Sequence, residues 1–89
     1  TLFRSLQSYG VQVVACTEKS NESIYELDFQ RPTCLIMGSE ERGISAPLLK
    51  RADLLAGIPL RGKVSSLNVS VAAGIAMSEA VRQRSYTQF

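Results

Sequence analysis

Apolar residues fall in short blocks along this chain, and the spacing inside each block predicts its structure. Leu2, Phe3 and Leu6 recur at helical intervals, and Gly10 is placed to end a first helix. Residues 11–17 (VQVVACT) are apolar without a polar face, the pattern of a buried strand. Residues 18–32 are polar and close on Pro32, so they read as a loop with one helical turn about residues 23–27. A second buried strand follows at residues 33–37, stopped by Gly38. Residues 39–43 form a tight connection to a short helix over 44–52, with Pro47 in its first turn. Residues 53–59 predict a third strand, residues 60–66 a loop, and residues 67–84 a long final helix. Strands that alternate with helices predict an α/β fold, a mainly parallel sheet flanked by helices.

The final helix is unusually apolar. At the helical 100° per residue, Leu67, Val69, Val71, Ala72, Ile75, Met77, Ala80 and Val81 point in nearly every direction, so the helix is predicted to be buried on all sides. A sheet built from so short a chain covers one side only. The small residues Ala72, Ala73, Gly74 and Ala76 would let a second backbone approach the other. A dimer interface and a further part of the same chain are the two candidates for that cover. Past Glu79 the helix turns polar, and Arg82 and Arg84 complement its negative end.

Composition narrows the classes. With 45% hydrophobic and 20% charged residues the chain is an ordinary globular one. No apolar run reaches the ~20 residues of a membrane-spanning helix, so no membrane partner is expected. Cys16 and Cys34 each sit inside an apolar run and read as reduced core thiols of a cytoplasmic protein. Histidine is absent, which excludes a histidine-based triad in these residues and leaves too few soft ligands for zinc; no metal is expected. Charge is uneven: residues 1–45 carry four basic and six acidic side chains, residues 46–89 six basic and two acidic. Lys50/Arg51, Arg61/Lys63 and Arg82/Arg84 make the second half basic, as an anionic partner such as RNA would favour. Plain solvated surface charge is the competing reading.

Two loops follow predicted parallel strands, on the edge where such sheets bind ligands. The first, MGSEERG, lacks the middle glycine of a dinucleotide fingerprint and centres on Glu40 and Glu41, poor company for a pyrophosphate. A neutral or cationic group suits it better, and a simple strand-to-helix turn is the alternative. The second, GIPLRGKV at residues 57–64, nearly spells a phosphate-binding P-loop. Val64 stands where a magnesium-binding hydroxyl belongs, Pro59 removes a backbone donor, and no acidic strand end follows. After it comes SSLN. Ser66 or Asn68 can cap the last helix, yet neither Val69 nor Val71 supplies a capping-box partner. So polar a cluster exceeds what a cap needs and suits a ligand with several donors and acceptors.

Taken together, LIMGSEERGI and AGIPLRGKVSSLNVSVAAGIAMSEAVRQR resemble the second and third motifs of the SpoU/TrmH-type branch of the SPOUT RNA methyltransferases. The resemblance covers residues 32–84. It implies that the C-terminal region, about residues 33–84, forms a deep trefoil knot holding S-adenosylmethionine. Gly38, Ile58 and Leu67 match positions whose backbones hold that cofactor, Leu60 and Ser66 positions that line it, and Glu40 and Asn68 polar positions at the reaction centre. The last helix matches the family's homodimer helix. Carboxylates at Glu40 and Glu41 tolerate a sulfonium cation where they would repel a diphosphate. The family's first motif, which carries the arginine that activates the ribose hydroxyl, has no counterpart in these residues. The chain opens on Thr1 and is expected to be the C-terminal part of a single longer methyltransferase domain, incomplete at its N-terminus, binding cofactor weakly and catalysing little alone.

The resemblance thus implies a 2′-O-ribose methyltransferase of structured RNA, with a guanosine of 23S ribosomal RNA as the expected target and transfer RNA as the alternative. Two readings of other classes stay open on sequence: a P-loop module using residues 57–64, and an RNA-binding or dimerisation module without chemistry.

Overall fold

The structure is a computed structural model describing residues 2–18, 20–38, 43–60 and 67–86. Helix α1 (Leu2–Ser8) leads through Gly10, at φ +83°, into strand β1 (Gln12–Cys16). A 3₁₀ turn (Ile24–Glu26) interrupts the long connection to β2 (Thr33–Ile36); α2 (Ala46–Arg51), β3 (Leu54–Ala56) and α3 (Val69–Tyr86) complete the order. The three strands are parallel in the order β2-β1-β3, with Val13 opposite Cys34 and Ala15 opposite Leu55. The predicted α/β architecture is therefore the observed one.

Each strand is shorter than its apolar run, for local reasons. At the start of β3, Asp53 donates its N–H to the Val13 carbonyl at 2.8 Å, while its carboxylate accepts the Val13 N–H at 2.7 Å. A side chain thus takes the place of a strand carbonyl. Beyond Ala56 only Gly57 pairs on, and Pro59 has no N–H to continue the ladder. The 3₁₀ turn is fixed by a capping box: the Ser23 hydroxyl accepts the Tyr25 N–H at 3.1 Å and Glu26 reaches back to the Ser23 N–H.

The central strand is the most buried element. Val13, Val14 and Ala15 have no exposed surface, as a strand covered on both faces requires. Val14 and Ala56 of the sheet meet Ile24, Leu27 and Phe29 of the long connection and Ala76 of α3 in one core. Cys16 and Cys34 are free thiols at its margin, and burial pushes the Cys16 thiol up, leaving it protonated and unreactive.

Within the single chain α3 is covered on one side only, the side a sheet of this size was expected to cover. That inward face is mostly small and polar: Ala76 and Glu79 are buried, with Ala72, Ile75, Ala80 and Gln83 beside them. Its outward face carries the larger apolar residues, Val71 at 52%, Met77 at 54% and Val81 at 62% exposure. The reason lies in what the helix holds. Gln83 accepts the Phe29 N–H at 2.7 Å and donates to the Leu27 carbonyl at 2.9 Å. Arg84 donates to the Phe29 and Arg31 carbonyls at 2.8 and 3.0 Å. Buried Glu79 accepts from Arg82 at 2.7 Å and from Gln83 at 2.8 Å, and the guanidinium beside it pulls its carboxyl down to about 2. The polar last turns thus serve the connection over residues 27–31. Arg82 and Arg84, counted as part of a basic surface on sequence, are engaged within the fold.

Candidate functional site

The C-terminal ends of β1 and β3 open on a cleft of about 330 Å³. One wall is Gly57, Ile58, Pro59 and Leu60, running off β3. The other comes from the connection after β1: Glu18, Ser20, Asn21, Glu22 and Ser23. This is the edge at which parallel sheets hold ligands, because strand ends and their loops leave a crevice there.

Gly57 joins the two walls. Its N–H donates to the Glu22 carbonyl at 2.8 Å and its carbonyl accepts the Ile24 N–H at 2.9 Å. On the opposite side Thr17 donates its N–H to the Ala56 carbonyl at 2.9 Å, and a Cβ on Gly57 would lie 2.8 Å from the Thr17 carbonyl oxygen. The chain at residues 56–57 therefore runs between two stretches of one connection. Only glycine fits this passage.

The other glycine loop is closed at its neck. A Cβ on Gly38 would stand 2.5 Å from the Gly43 carbonyl carbon and 2.7 Å from the Ile44 nitrogen. Gly43 itself sits at φ +65°, where a side chain is strained. So the backbone at residue 38 packs directly against that at residues 43 and 44.

Of the residues singled out on sequence, Ile58 and Leu60 line the cleft. Gly38 stands at the end of the neighbouring strand and is not part of that lining. Leu67 is half-buried just before α3, and Asn68 caps that helix, its Oδ1 accepting the Ser70 N–H at 2.8 Å while its carbonyl accepts the Ala72 N–H. Glu40 and Ser66 lie outside the described residues. Missed on sequence was the whole second wall. Its signal is a polar stretch directly after a buried strand, with the S-x-x-E capping box at 23–26.

The cleft's chemistry discriminates among ligands. A phosphate needs converging N–H donors, yet the Gly57 N–H is spent on Glu22 and Pro59 has none. Two carboxylates, Glu18 and Glu22, stand in the same crevice. Ile58 and Leu60 supply apolar surface for a flat ring. This combination suits an uncharged or cationic molecule with an apolar body and opposes a nucleoside triphosphate.

The profile of the SpoU rRNA Methylase family matches residues 1–78. The chain belongs to that family. Among its relatives, the 23S rRNA (guanosine-2′-O-)-methyltransferase of Ralstonia nicotianae is 44% identical over 82 residues, covering 92% of this chain and 33% of the relative. The chain spans about a third of the length of such relatives. Among solved structures, a TrmH/SpoU tRNA modifying enzyme from A. aeolicus superposes with TM-score 0.88 at 36% identity, over 98% of this chain and 45% of that one. The SpoU methyltransferase AviRb from Streptomyces viridochromogenes, solved in complex with AdoMet, superposes with TM-score 0.83 at 33% identity, over 93% and 32%.

The family match spans both glycine loops, the near P-loop at residues 57–64 included. Among the described residues no group of three or more histidine, cysteine, aspartate or glutamate side chains is arranged to hold a metal, and no helix is long and apolar enough to cross a membrane.

Proposed function

We propose that this chain forms the cofactor-binding portion of an S-adenosylmethionine-dependent RNA 2′-O-ribose methyltransferase whose target is a guanosine of 23S ribosomal RNA. The observation that carries the reading is the cleft itself: apolar Ile58 and Leu60 share it with two carboxylates at the sheet's C-terminal edge, where the Gly57 N–H is spent on Glu22 and Pro59 has none. The relative from Ralstonia nicotianae supports the guanosine target. The A. aeolicus neighbour, a tRNA modifying enzyme, supports transfer RNA as the second reading.

When bound, S-adenosylmethionine supplies an electrophilic methyl group. The chain's own contribution is positional. Ile58 and Leu60 cover the apolar body, while the carboxylates of Glu18 and Glu22 favour a cation over an anion in the crevice. Gly38, Leu67 and Ser66 complete the cofactor contacts, with Glu40 and Asn68 beside the reacting ribose. The cap bond to Ser70 orients the Asn68 amide at the mouth of α3.

Three further parts belong to this reading. The trefoil knot is supported by the passage of residues 56–57 between Thr17 on one side and Glu22 and Ile24 on the other. A homodimer through α3 is supported by the exposed stripe of Val71, Met77 and Val81, between which Gly74 and Ser78 leave room for a second backbone. A cytoplasmic location follows from a ribosomal RNA target.

The test is methyl transfer from labelled cofactor to 23S ribosomal RNA by the whole protein, with the product mapped to a ribose 2′-oxygen. Asn68→Asp keeps the helix cap and removes the amide, so methyl transfer should fall while folding persists. Methylation of a base, or of no RNA at all, would overturn the proposal.

A further inference from the structure

We infer that Gln83, seconded by Arg84, is a positioning residue for the cofactor cleft, although it sits at the opposite end of α3 from the residues assigned to binding. The inference rests on the cofactor reading above. The cleft's second wall meets the sheet at its N-terminal half: the Ser20 hydroxyl donates to the Leu55 carbonyl of β3 at 2.8 Å, and Glu22 and Ile24 bond Gly57 just beyond that strand. Its C-terminal half, past Ile24, is held from α3. From Ile24 the chain runs through the 3₁₀ turn to Leu27 and Phe29, and there Gln83 grips both flanks, donating to the Leu27 carbonyl and accepting the Phe29 N–H. Arg84 takes the next carbonyls, of Phe29 and Arg31.

The grip is itself braced. Gln83 Nε2 also donates to Glu79 Oε2 at 2.8 Å, and Glu79 is buried and paired with Arg82. A side-chain amide whose oxygen accepts while its nitrogen donates has one orientation that satisfies all partners. Gln83 therefore fixes residues 27–29, and with them the distance over which the turn carries Glu22 and Ser23 to Gly57. α3 thus meets the site twice, at Asn68 by sequence position and at its last turns through this connection.

The test is calorimetric titration of the whole protein with S-adenosylhomocysteine, comparing wild type with Gln83→Met and Arg84→Ala. Gln83→Met keeps the volume and removes the three bonds. The inference predicts a Kd about tenfold weaker for Gln83→Met, and a smaller loss for Arg84→Ala, with one site per chain still titrating. The split between Kd and stoichiometry is decisive, because a merely structural residue lowers the fraction of competent sites and leaves the Kd of the rest unchanged. Unchanged Kd with reduced stoichiometry overturns the inference and leaves the cofactor reading standing. If wild type itself fails to bind, the cofactor reading falls and this inference falls with it. Should Gln83→Met not fold, a wild-type Kd in Arg84→Ala overturns the inference on its own.

Discussion

Replacing Gly57 with alanine tests the threaded geometry of the site most sharply among single substitutions. The new Cβ would lie 2.8 Å from the Thr17 carbonyl oxygen and 3.7 Å from the Glu18 Cα. Ordinary contact begins near 3.4 Å, so about 0.6 Å must be found from backbone on both sides. Neither side yields freely. Thr17 is tied to Ala56, and Gly57 is tied to Glu22 and Ile24. Overpacking of this kind costs about 1–3 kcal/mol. Alanine also restricts the unfolded chain, which returns about 0.4–1 kcal/mol because the φ here is not positive. At the middle of both ranges the steric term wins, and a net loss of about 1.3 kcal/mol is expected. Urea unfolding at constant m reads it directly, as a lower midpoint. A Gly57→Ala protein as stable as wild type would refute the passage of residues 56–57 between the two stretches of the connection.

Two further predictions follow from α3. The Glu79 carboxyl titrates at about 2 in the fold against 4.5 normally, because Arg82 donates to it. A depressed carboxylate adds stability that is complete above about pH 4.5 and disappears as pH falls toward 2. Glu79→Gln should therefore flatten the stability profile across that window, and an unchanged acid slope would contradict the ion pair's role. On the outward face, Val81→Asp places a charge in the exposed stripe and should convert a dimer to monomer in sedimentation at micromolar concentration, with α3 itself intact. A persistent dimer would send the interface elsewhere.

Much of this fold was legible in the chain, and the reasons differ by element. β1 and β2 announced themselves as unbroken apolar runs because a parallel strand is covered on both faces, and the zero exposure of Val13 to Ala15 is that pattern realised. The helix ends were marked by Gly10 and by Pro47. The long connection was read as a mere loop because its order does not come from periodicity. It comes from Gln83, Arg84 and Gly57, which lie 33 to 56 positions from their partners in it, and long-range hydrogen bonds leave no spacing signal. For α3 the sequence placed apolar residues on every side, one side for the sheet and one for another partner, but not which side was which. The sheet takes the face of alanines, Ile75, Glu79 and Gln83, because Gln83 serves the connection. Of the residues the motifs singled out, Ile58 and Leu60 line the cleft and Asn68 caps α3. The wall from Glu18 to Ser23 escaped because it carries no glycine; its marks are only its position after a strand and the capping box that opens at Ser23.

The most direct measurement on the central claim is calorimetry of this chain, and of the whole protein, with S-adenosylhomocysteine beside ATP plus magnesium. The account predicts that S-adenosylhomocysteine binds with one site per chain, that ATP gives no heat of binding, and that Leu67→Pro, which removes a backbone N–H at the helix mouth, abolishes the signal. Binding of ATP, or silence toward S-adenosylhomocysteine in the whole protein, would contradict it.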